Sequence, residues 1–182
     1  MRIVVGITGS SGAVYAREFL RQCEADKYLV VSKWGKVLLK DELGIGVKDL
    51  LPFVKKEFSD DDLSAPVASG SNWIDAYVIL PCSTSTLGKI ASGIGDSLVT
   101  RTAQVALKER FKLVICLRET PLSTTTLEQC AQLSRDGAII MPISPPLYFV
   151  PETVDEYVRA FVDKVLGVLG IRSSKGWRED EL

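Results

Sequence analysis

Lys112-Leu-Val-Ile-Cys-Leu-Arg-Glu-Thr-Pro121 is the stretch of sequence that decides the fold. Five apolar residues in succession, then two opposite charges and a Thr-Pro dipeptide, predict a buried strand that ends at Arg118 and Glu119. A strand that is apolar on both faces is typical of a parallel sheet with helices covering each side. Ligands bind at the carboxyl ends of the strands in such sheets, so Arg118 and Glu119 are predicted to lie at a ligand site.

Strand-like and helix-like segments alternate along the rest of the chain. Short apolar runs bounded by turn residues predict strands, and longer segments with helical periodicity predict helices. The predicted strands cover residues 3–7, 28–31, 76–80, 112–117 and 138–141, and the predicted helices cover 13–25, 33–43, 84–91, 97–110, 127–135 and 153–169. Residues 49–62 are mixed and charged and fit neither pattern.

This alternation predicts βαβ units in a doubly wound, mostly parallel sheet. The predicted fold class is α/β, a three-layer sandwich of the Rossmann-like or flavodoxin-like type. Because 182 residues contain no internal repeat and no low-complexity linker, we expect a single domain over residues 1–182, with a C-terminal tail from about residue 171.

The composition argues against several classes of function. The chain contains no histidine, so acid–base catalysis at neutral pH must use a carboxylate, Lys, Tyr or Cys. A net charge of −1 gives no reason to expect binding to nucleic acid or to an anionic membrane. No apolar run approaches the roughly 20 residues of a membrane span, and the N-terminus is typical of a strand rather than a signal peptide.

The four cysteines are Cys23, Cys82, Cys116 and Cys130, and none of them forms a C-x-x-C pair. With no histidine to complete a zinc site, we interpret them as free thiols in a reducing compartment, and we predict no metal site. The sequence therefore predicts a cytoplasmic protein.

The first predicted strand leads into the turn Gly6-Ile-Thr-Gly-Ser-Ser-Gly12. Free N–H groups at the following helix N-terminus would favour a phosphate, and glycines would let it approach closely. The turn lacks the G-x-G-x-x-G fingerprint, and the second predicted strand ends in Ser32 and Lys33 rather than in an acid that could bind a ribose. These features favour a mononucleotide over NAD, although glycine and serine in such a turn can also serve packing alone.

A second hydroxyl-rich turn, Pro81-Cys-Ser-Thr-Ser-Thr86, enters another predicted helix. A helix N-cap needs only one Ser or Thr, whereas this turn supplies four hydroxyls in succession. The excess suits a phosphate or a polar heterocycle. Both turns are predicted at the same edge of the sheet, so they would hold one ligand between them.

Two cations, Arg101 and Lys108, lie seven residues apart on a predicted helix and therefore project from the same side of it. They would clamp an anionic substrate near Arg118 and Glu119. The alternatives are a solvated basic face for the first pair and a structural ion pair between Arg118 and Glu119.

The C-terminal third adds three further candidates. Tyr148 lies in a rigid Pro-rich loop, which would form a lid over an apolar ligand or simply pack against a helix. Lys164, on the last predicted helix, is indistinguishable by itself from a surface lysine. Trp177 is expected to dock on its own domain or on a neighbouring subunit rather than stay exposed.

Taken together, these residues resemble the UbiX family of flavin prenyltransferases, and the resemblance covers essentially the whole chain. It rests on motifs in the family's order: Gly6-Ile-Thr-Gly-Ser-Ser-Gly-Ala-Val-Tyr15, Ser32-Lys33, Ala68-Ser-Gly-Ser71, Leu80-Pro-Cys-Ser-Thr-Ser-Thr-Leu87, Thr100-Arg-Thr-Ala103, Ala106-Leu-Lys-Glu-Arg110, Arg118-Glu-Thr-Pro-Leu122, and Tyr148 with Pro151.

The resemblance implies an FMN-binding subunit, usually within a homododecamer, that transfers a dimethylallyl group to N5 and C6 of reduced FMN. The donor is dimethylallyl phosphate or dimethylallyl pyrophosphate, and no metal is needed. The product, prenylated FMN, would serve a UbiD-type decarboxylase. Members often carry arginine in place of Lys164 and a different sequence around Tyr148, and these departures leave the choice of donor open.

Carried over by position, the resemblance implies roles for particular residues. Those that would hold FMN are Gly9, Ser10, Ser11, Ser32, Ser83, Thr84, Ser85, Thr86 and Arg118. Those that would hold the donor are Arg101, Lys108, Tyr148 and Lys164, with Trp177 closing the pocket. Glu119 would take the proton lost from C6 of the flavin, and Ser11 and Glu42 would lie near the reacting centre.

Three other functions are compatible with the fold. A flavin-dependent cysteine decarboxylase uses a catalytic histidine, which this chain lacks. An FMN-binding carrier protein would need none of the donor-site residues that the chain retains. An NAD-dependent oxidoreductase would need the dinucleotide fingerprint, which is absent.

Overall fold

The computed structural model describes residues 1–148 and 150–171. Its strands are β1 (Arg2–Ile7), β2 (Asp26–Val31), β3 (Lys56–Ser59), β4 (Ala76–Cys82), β5 (Lys112–Leu117) and β6 (Ile139–Ile140). Its α-helices are α1 (Ala13–Gln22), α2 (Lys33–Leu43), α3 (Thr84–Ala91), α4 (Leu98–Glu109), α5 (Thr124–Arg135) and α6 (Val154–Leu169). Short 3₁₀ helices cover Val47–Phe53 and Pro66–Ala68.

All six strands are parallel and lie in the order β3-β2-β1-β4-β5-β6. The prediction of a doubly wound α/β sheet is confirmed. The strand order reverses between β1 and β4, and in such sheets the crevice at the carboxyl ends of the two strands on either side of the reversal receives the ligand. The topology therefore predicts a site built from the residues that follow β1 and β4.

Two hydrophobic cores lie on opposite faces of this sheet. On one face Ile3, Val5 and Ile7 of β1 pack with α1 and α6, and on the other Val4 packs with α3 and α4. Each of these four side chains is fully buried. Successive side chains of a strand point to opposite faces, so a strand that is covered on both sides must be apolar throughout. This is the three-layer arrangement that the sequence predicts.

The edge strand β3 lies within residues 49–62, which fit neither pattern in the sequence. Among the described strands it pairs with β2 alone, and of its residues Phe58 alone is buried. A short strand with charged residues at Lys56 and Glu57 gives no periodic signal, which is why the sequence did not reveal it. The extent of the domain and its C-terminal tail remain predictions, because residues 172–182 lie outside the described residues.

Within the described ranges, no helix is both long enough and apolar enough to cross a lipid bilayer.

Candidate functional site

A cleft of about 440 Å³ opens at the carboxyl ends of the strands. Its lining comes from the segments that follow five of the strands, from β1 through to β5, so the site lies where the topology predicts it. The lining residues are Gly9, Ser10, Ser32, Lys33, Trp34, Asp60, Ser83, Thr84, Ser85, Thr86, Lys89, Ser97, Val99, Thr100 and Glu119.

The buried side chain of Thr8 joins the ends of β1 and β4. Its hydroxyl donates to the carbonyl oxygen of Pro81 at 2.9 Å and accepts from the backbone N–H of Ser83 at 2.9 Å. Beside it, the hydroxyl of Ser10 donates to the carbonyl oxygen of Arg118 at 2.6 Å, which ties β1 to the end of β5. Three turns are thus held together by side-chain hydrogen bonds before any ligand arrives.

Helix α3 points its N-terminus into the cleft. Ser83 is its N-cap, with its hydroxyl accepting from the N–H of Thr86 at 3.2 Å and donating to the hydroxyl of Thr86 at 3.0 Å. No hydrogen bond within the described chain involves the N–H groups or the hydroxyls of Thr84 and Ser85. Of the four hydroxyls, therefore, two build the cap and two are available to a ligand, which agrees with the excess seen in the sequence.

Helix α2 presents a second N-terminus to the same cleft. Ser32 caps it by accepting from the N–H of Gly35 at 3.1 Å. The N–H groups of Lys33 and Trp34 have no acceptor in the part of the chain that the structure describes. Gly9 faces them from the first turn, where a Cβ would collide with the Cβ of Trp34. Glycine is required there because the two turns approach so closely.

Helix α1 behaves differently, because its N-terminus is already occupied. The carboxylate of Glu42 accepts from the N–H of Gly12 at 2.9 Å and from the N–H of Ala13 at 2.8 Å. The expectation that this turn offers free N–H groups to a phosphate is therefore wrong for these two residues. The contact also places Glu42 next to Ser11, which is exposed, so the structure brings together two residues of the predicted reacting centre.

Helix α4 contributes a third N-terminus at the far end of the cleft, and an acid occupies this one too. Asp60 accepts from the N–H of Val99 through its carboxylate at 2.8 Å, and from the N–H of Leu98 through its main-chain oxygen at 2.7 Å. At the rim, Lys89 pairs with Asp96 at 2.7 Å. The hydrogen bond from Lys89 is the main reason that the pKa of Asp96 lies below its ordinary value.

The side chains of Arg118 and Glu119, which are adjacent in sequence, lie in different surroundings. Glu119 lines the cleft and accepts from the N–H of Thr120 at 3.0 Å. Arg118 does not line it, and its guanidinium lies close enough to Tyr15 to affect the pKa of that phenol. Burial, the largest effect, raises the pKa of Tyr15, and the positive charge of Arg118 partly opposes this. None of the ion pairs among the described residues joins Arg118 to Glu119.

The two cations of α4 share one side of the helix, as predicted, but they do not line the cleft. Nε of Arg101 donates to the carbonyl oxygen of Ala68 at 3.1 Å. Lys108 pairs with Glu109 and lies against Gly70, where a Cβ would come 2.7 Å from its Nζ. Both side chains therefore face the end of the second 3₁₀ helix and the loop that follows it.

The remaining candidates also lie outside the cleft lining. Tyr148 is 53% exposed. Lys164 is exposed on α6, one turn before Val168, whose carbonyl oxygen accepts from Lys112 at the start of β5. That contact places this part of α6 towards the amino-terminal edge of the sheet, opposite the cleft. Trp177 lies outside the described residues.

The sequence missed several residues that build the cleft, among them Thr8, Trp34, Asp60 and Lys89. Asp60 directly follows β3, so recognition of that edge strand would have placed it at the ligand edge of the sheet. Within residues 1–148 and 150–171, no group of three or more Cys, Asp or Glu side chains is arranged to hold a metal ion. The donors of the cleft suit an organic ligand with a phosphate and hydroxyl groups.

Comparison with known proteins gives matches over most of the chain. The flavoprotein family model matches residues 1–167. The chain is 44% identical to the flavin prenyltransferase UbiX of Thermoplasma acidophilum over 172 residues, which cover 94% of this chain and 96% of that protein.

Solved structures give the same result. The crystal structure of AnUbiX in complex with FMN and dimethylallyl pyrophosphate superposes with a TM-score of 0.91 at 34% identity, covering 97% of this chain and 98% of that one. A dodecameric FMN-dependent UbiX-like decarboxylase from Escherichia coli O157:H7 superposes with a TM-score of 0.92 at 37% identity, covering 97% of this chain and 100% of that one. The chain therefore belongs to the flavoprotein family and, within it, to the UbiX flavin prenyltransferases.

Proposed function

We propose that this protein transfers a dimethylallyl group from dimethylallyl phosphate or dimethylallyl pyrophosphate to N5 and C6 of reduced FMN, giving prenylated FMN. The observation that carries the proposal is the match over 97% of the chain to a relative solved with both FMN and dimethylallyl pyrophosphate. The cleft supports it independently, because its free donors and its carboxylates suit the parts of FMN.

The phosphate of FMN would bind at the N-termini of α2 and α3. Four N–H groups, those of Lys33, Trp34, Thr84 and Ser85, are without a partner in the described chain and line one cleft. Free N–H groups at helix N-termini, together with the helix dipoles, form an anion site. The flavin ring would then extend across Gly9 and Ser10 towards the end of β5.

At the other end of the ligand, Glu119 would take the proton that leaves C6. It is the acid of the cleft nearest in sequence to β5, and a carboxylate within reach is suited to general base catalysis in a chain without histidine. Reduced FMN supplies the two nucleophilic atoms, N5 and C6. When the carbon–oxygen bond of the donor breaks, the phosphate leaves as an anion and needs cations to neutralise it.

The cations for that step would come from a neighbouring subunit. Arg101 and Lys108 do not line the cleft of their own chain and instead face the loop at Ala68 and Gly70. The Escherichia coli relative is described as dodecameric. We infer that this chain forms a homo-oligomer, a dodecamer like that relative, in which α4 of one subunit completes the cleft of the next. Lys164, which lies opposite the cleft of its own chain, would likewise reach the donor site of a neighbouring subunit, and Tyr148 would join that site.

The two other flavoprotein functions receive less support. A cysteine decarboxylase would need a histidine, and a simple FMN carrier would have no use for Glu119 in the cleft. The product would pass to a UbiD-type decarboxylase. We place the reaction in the cytoplasm, because the four cysteines are all free thiols. We also propose that the reaction needs no metal, so a chelator should leave its rate unchanged.

Mass spectrometry of the released flavin tests the proposal. The protein would be incubated without oxygen with reduced FMN and either dimethylallyl phosphate or dimethylallyl pyrophosphate. A flavin heavier by one isoprenyl unit is the expected product, and the productive donor identifies the substrate. Unmodified flavin with both donors, from protein that binds FMN, would contradict the proposal and favour a carrier.

A further inference from the structure

Asp60 is an anion in a cleft that is built to bind another anion. It directly follows β3 and lines the cleft with Val99. Its position is held on two sides, because its Oδ1 accepts from the N–H of Val99 at 2.8 Å and its main-chain oxygen accepts from the N–H of Leu98 at 2.7 Å. Because its carboxylate and its main-chain oxygen are each bonded to the backbone of α4, Asp60 has little freedom to turn away from a ligand.

The charges at the helix N-termini decide which part of a ligand meets Asp60. Glu42 neutralises the N-terminus of α1, and Asp60 neutralises that of α4. Only the N-termini of α2 and α3 remain without an acid among the described residues of the cleft. A phosphate is therefore attracted to α2 and α3 and repelled from the α4 end.

The second carboxylate oxygen of Asp60, Oδ2, makes no hydrogen bond within the described chain. An ionised carboxylate can only accept hydrogen bonds, so a ligand group that faces it must be a donor. Hydroxyl groups meet this requirement, and a bond from a hydroxyl to a carboxylate is among the stronger hydrogen bonds. The part of FMN between its phosphate and its ring is a ribityl chain that carries such hydroxyl groups.

We propose that Asp60 is a specificity residue that accepts a hydrogen bond from a ribityl hydroxyl of the flavin. The inference rests on the proposed function, since it assumes that the ligand is FMN. It adds a residue that selects for the polyol: α2 and α3 bind the phosphate, and Asp60 at α4 binds one hydroxyl of the ribityl chain next to it.

The test compares Asp60→Asn with the wild-type protein. Asparagine keeps an oxygen that can accept from the N–H of Val99, but it replaces the free acceptor with an NH₂ donor. The ligands are FMN and analogues that each lack one ribityl hydroxyl, at C2′, C3′ or C4′. Each dissociation constant is measured on the full-length protein by flavin fluorescence, without any turnover.

In the wild-type protein, we expect one deoxy analogue to bind roughly ten- to a hundredfold more weakly than FMN, the range for a lost hydrogen bond to a charged group. In Asp60→Asn this penalty should shrink to no more than a few-fold, because the amide NH₂ can only donate a neutral hydrogen bond to the oxygen of that hydroxyl. The exposed neighbour Asp61 serves as the matched control, and Asp61→Asn should keep the wild-type difference. Asp60→Ser, which also retains an oxygen acceptor, is the second variant should the asparagine protein fold poorly.

The possible results distinguish a failure of the role of Asp60 from a failure of the proposed function. An equal penalty for every deoxy analogue in the wild-type protein and in Asp60→Asn would overturn the role of Asp60, as would the absence of any penalty in the wild type. If Asp60 only caps α4, the wild type and Asp60→Asn should show the same penalties, because asparagine preserves the cap. Failure of the wild-type protein to bind FMN at all would instead overturn the proposed function.

Discussion

The carboxylate of Glu42 lies 2.9 Å from the backbone nitrogen of Gly12 and accepts its hydrogen bond, so the N-terminus of α1 is closed to an external anion. This contact helps to decide which helix N-termini at the cleft can bind an anion. With α1 occupied by Glu42 and α4 occupied by Asp60, the N-termini of α2 and α3 are the ones at the cleft that no acid occupies among the described residues. In the proposed function, these two internal acids would orient the ligand as much as the free N–H donors proposed to bind its phosphate.

Replacement of Glu42 by alanine should loosen the first turn and create a new anion site. The N–H groups of Gly12 and Ala13 lose their acceptor, and the loss of such a cap costs about 1 kcal/mol of unfolding free energy. Chemical denaturation would measure that change. Inorganic phosphate should raise the melting temperature of Glu42→Ala more than that of the wild type, because the freed N–H groups can bind it.

The neighbouring exposed acid Asp41 provides the control for this experiment. Asp41→Ala removes the same charge from the same helix without touching α1, so its stability should stay within about 0.5 kcal/mol of the wild type. If inorganic phosphate raised the melting temperature of both variants equally, Glu42 would have no special role at α1.

Two buried threonines allow a matched test of the contact that joins β1 and β4. The hydroxyl of Thr8 bonds to Pro81 and Ser83, whereas the hydroxyl of Thr102, equally buried, has no partner among the described residues. Thr8→Val should lower the unfolding free energy by about 1–3 kcal/mol, because it leaves the N–H of Ser83 without its hydrogen-bond acceptor. Thr102→Val should be neutral or stabilising, because it removes a hydroxyl that gains nothing from burial.

Thermal and urea denaturation of both variants would measure the difference. The Thr8→Val protein should also bind FMN more weakly, since Ser83 begins the α3 turn that faces the phosphate. Equal stabilities for the two variants would mean that the contact between the strand ends contributes little.

The fold could be predicted from the sequence where burial imposes a pattern. Strand β5 is apolar from Leu113 to Leu117 because both of its faces are covered, and that run alone indicates a parallel sheet. Strand β3 could not be predicted, since only Phe58 is buried and an edge strand needs no apolar run. The sequence signal was therefore strong at the centre of the sheet and failed at the β3 edge.

The candidate site was predictable in composition but not in geometry. The hydroxyls of Ser83 and Thr84 stand out in the sequence because they exceed what a helix cap needs. The occupation of α1 by Glu42 could not be inferred, because it joins residues 30 positions apart through the packing of two helices. Nor could the sequence show that Arg101 and Lys108 face away from their own cleft.

The buried phenol of Tyr77 should make the protein sensitive to alkali. Its hydroxyl donates to the carbonyl oxygen of Val99 at 3.0 Å, and burial, reinforced by the charge of Asp60, raises the pKa of Tyr77 well above its usual value. The unfolded chain releases this proton near pH 10, but the folded chain holds it. Tyr77 therefore stabilises the fold fully below about pH 10 and progressively less as the pH rises.

The unfolding free energy should accordingly fall more steeply above pH 10 in the wild type than in Tyr77→Phe, by up to about 1.4 kcal/mol per pH unit. The buried thiols of Cys82 and Cys116, whose pKa values burial also raises, are present in both proteins and cancel in the comparison. Urea denaturation between pH 9 and pH 11 measures both slopes. Identical slopes would show that Tyr77 ionises freely in the folded protein.

The last prediction tests whether one subunit completes the site of another. Glu119→Gln should bind FMN but lose the base for the C6 proton, and Lys108→Ala should lose a cation that the donor phosphate needs. Each protein alone should be almost inactive. If Lys108 acts in a neighbouring cleft, co-expression of the two variants at equal levels creates some sites with both residues intact.

Random assembly would make about a quarter of the sites intact, because half of the clefts carry Glu119 and half of the neighbouring α4 helices carry Lys108. Prenylated FMN formation by the mixed oligomer should therefore recover to about that fraction of the wild-type rate. A doubly substituted chain, Glu119→Gln with Lys108→Ala, co-expressed with wild-type chains should also give about a quarter, which calibrates the mixing. Activity no higher than the sum of the single variants would place Lys108 and Glu119 in the same subunit's site.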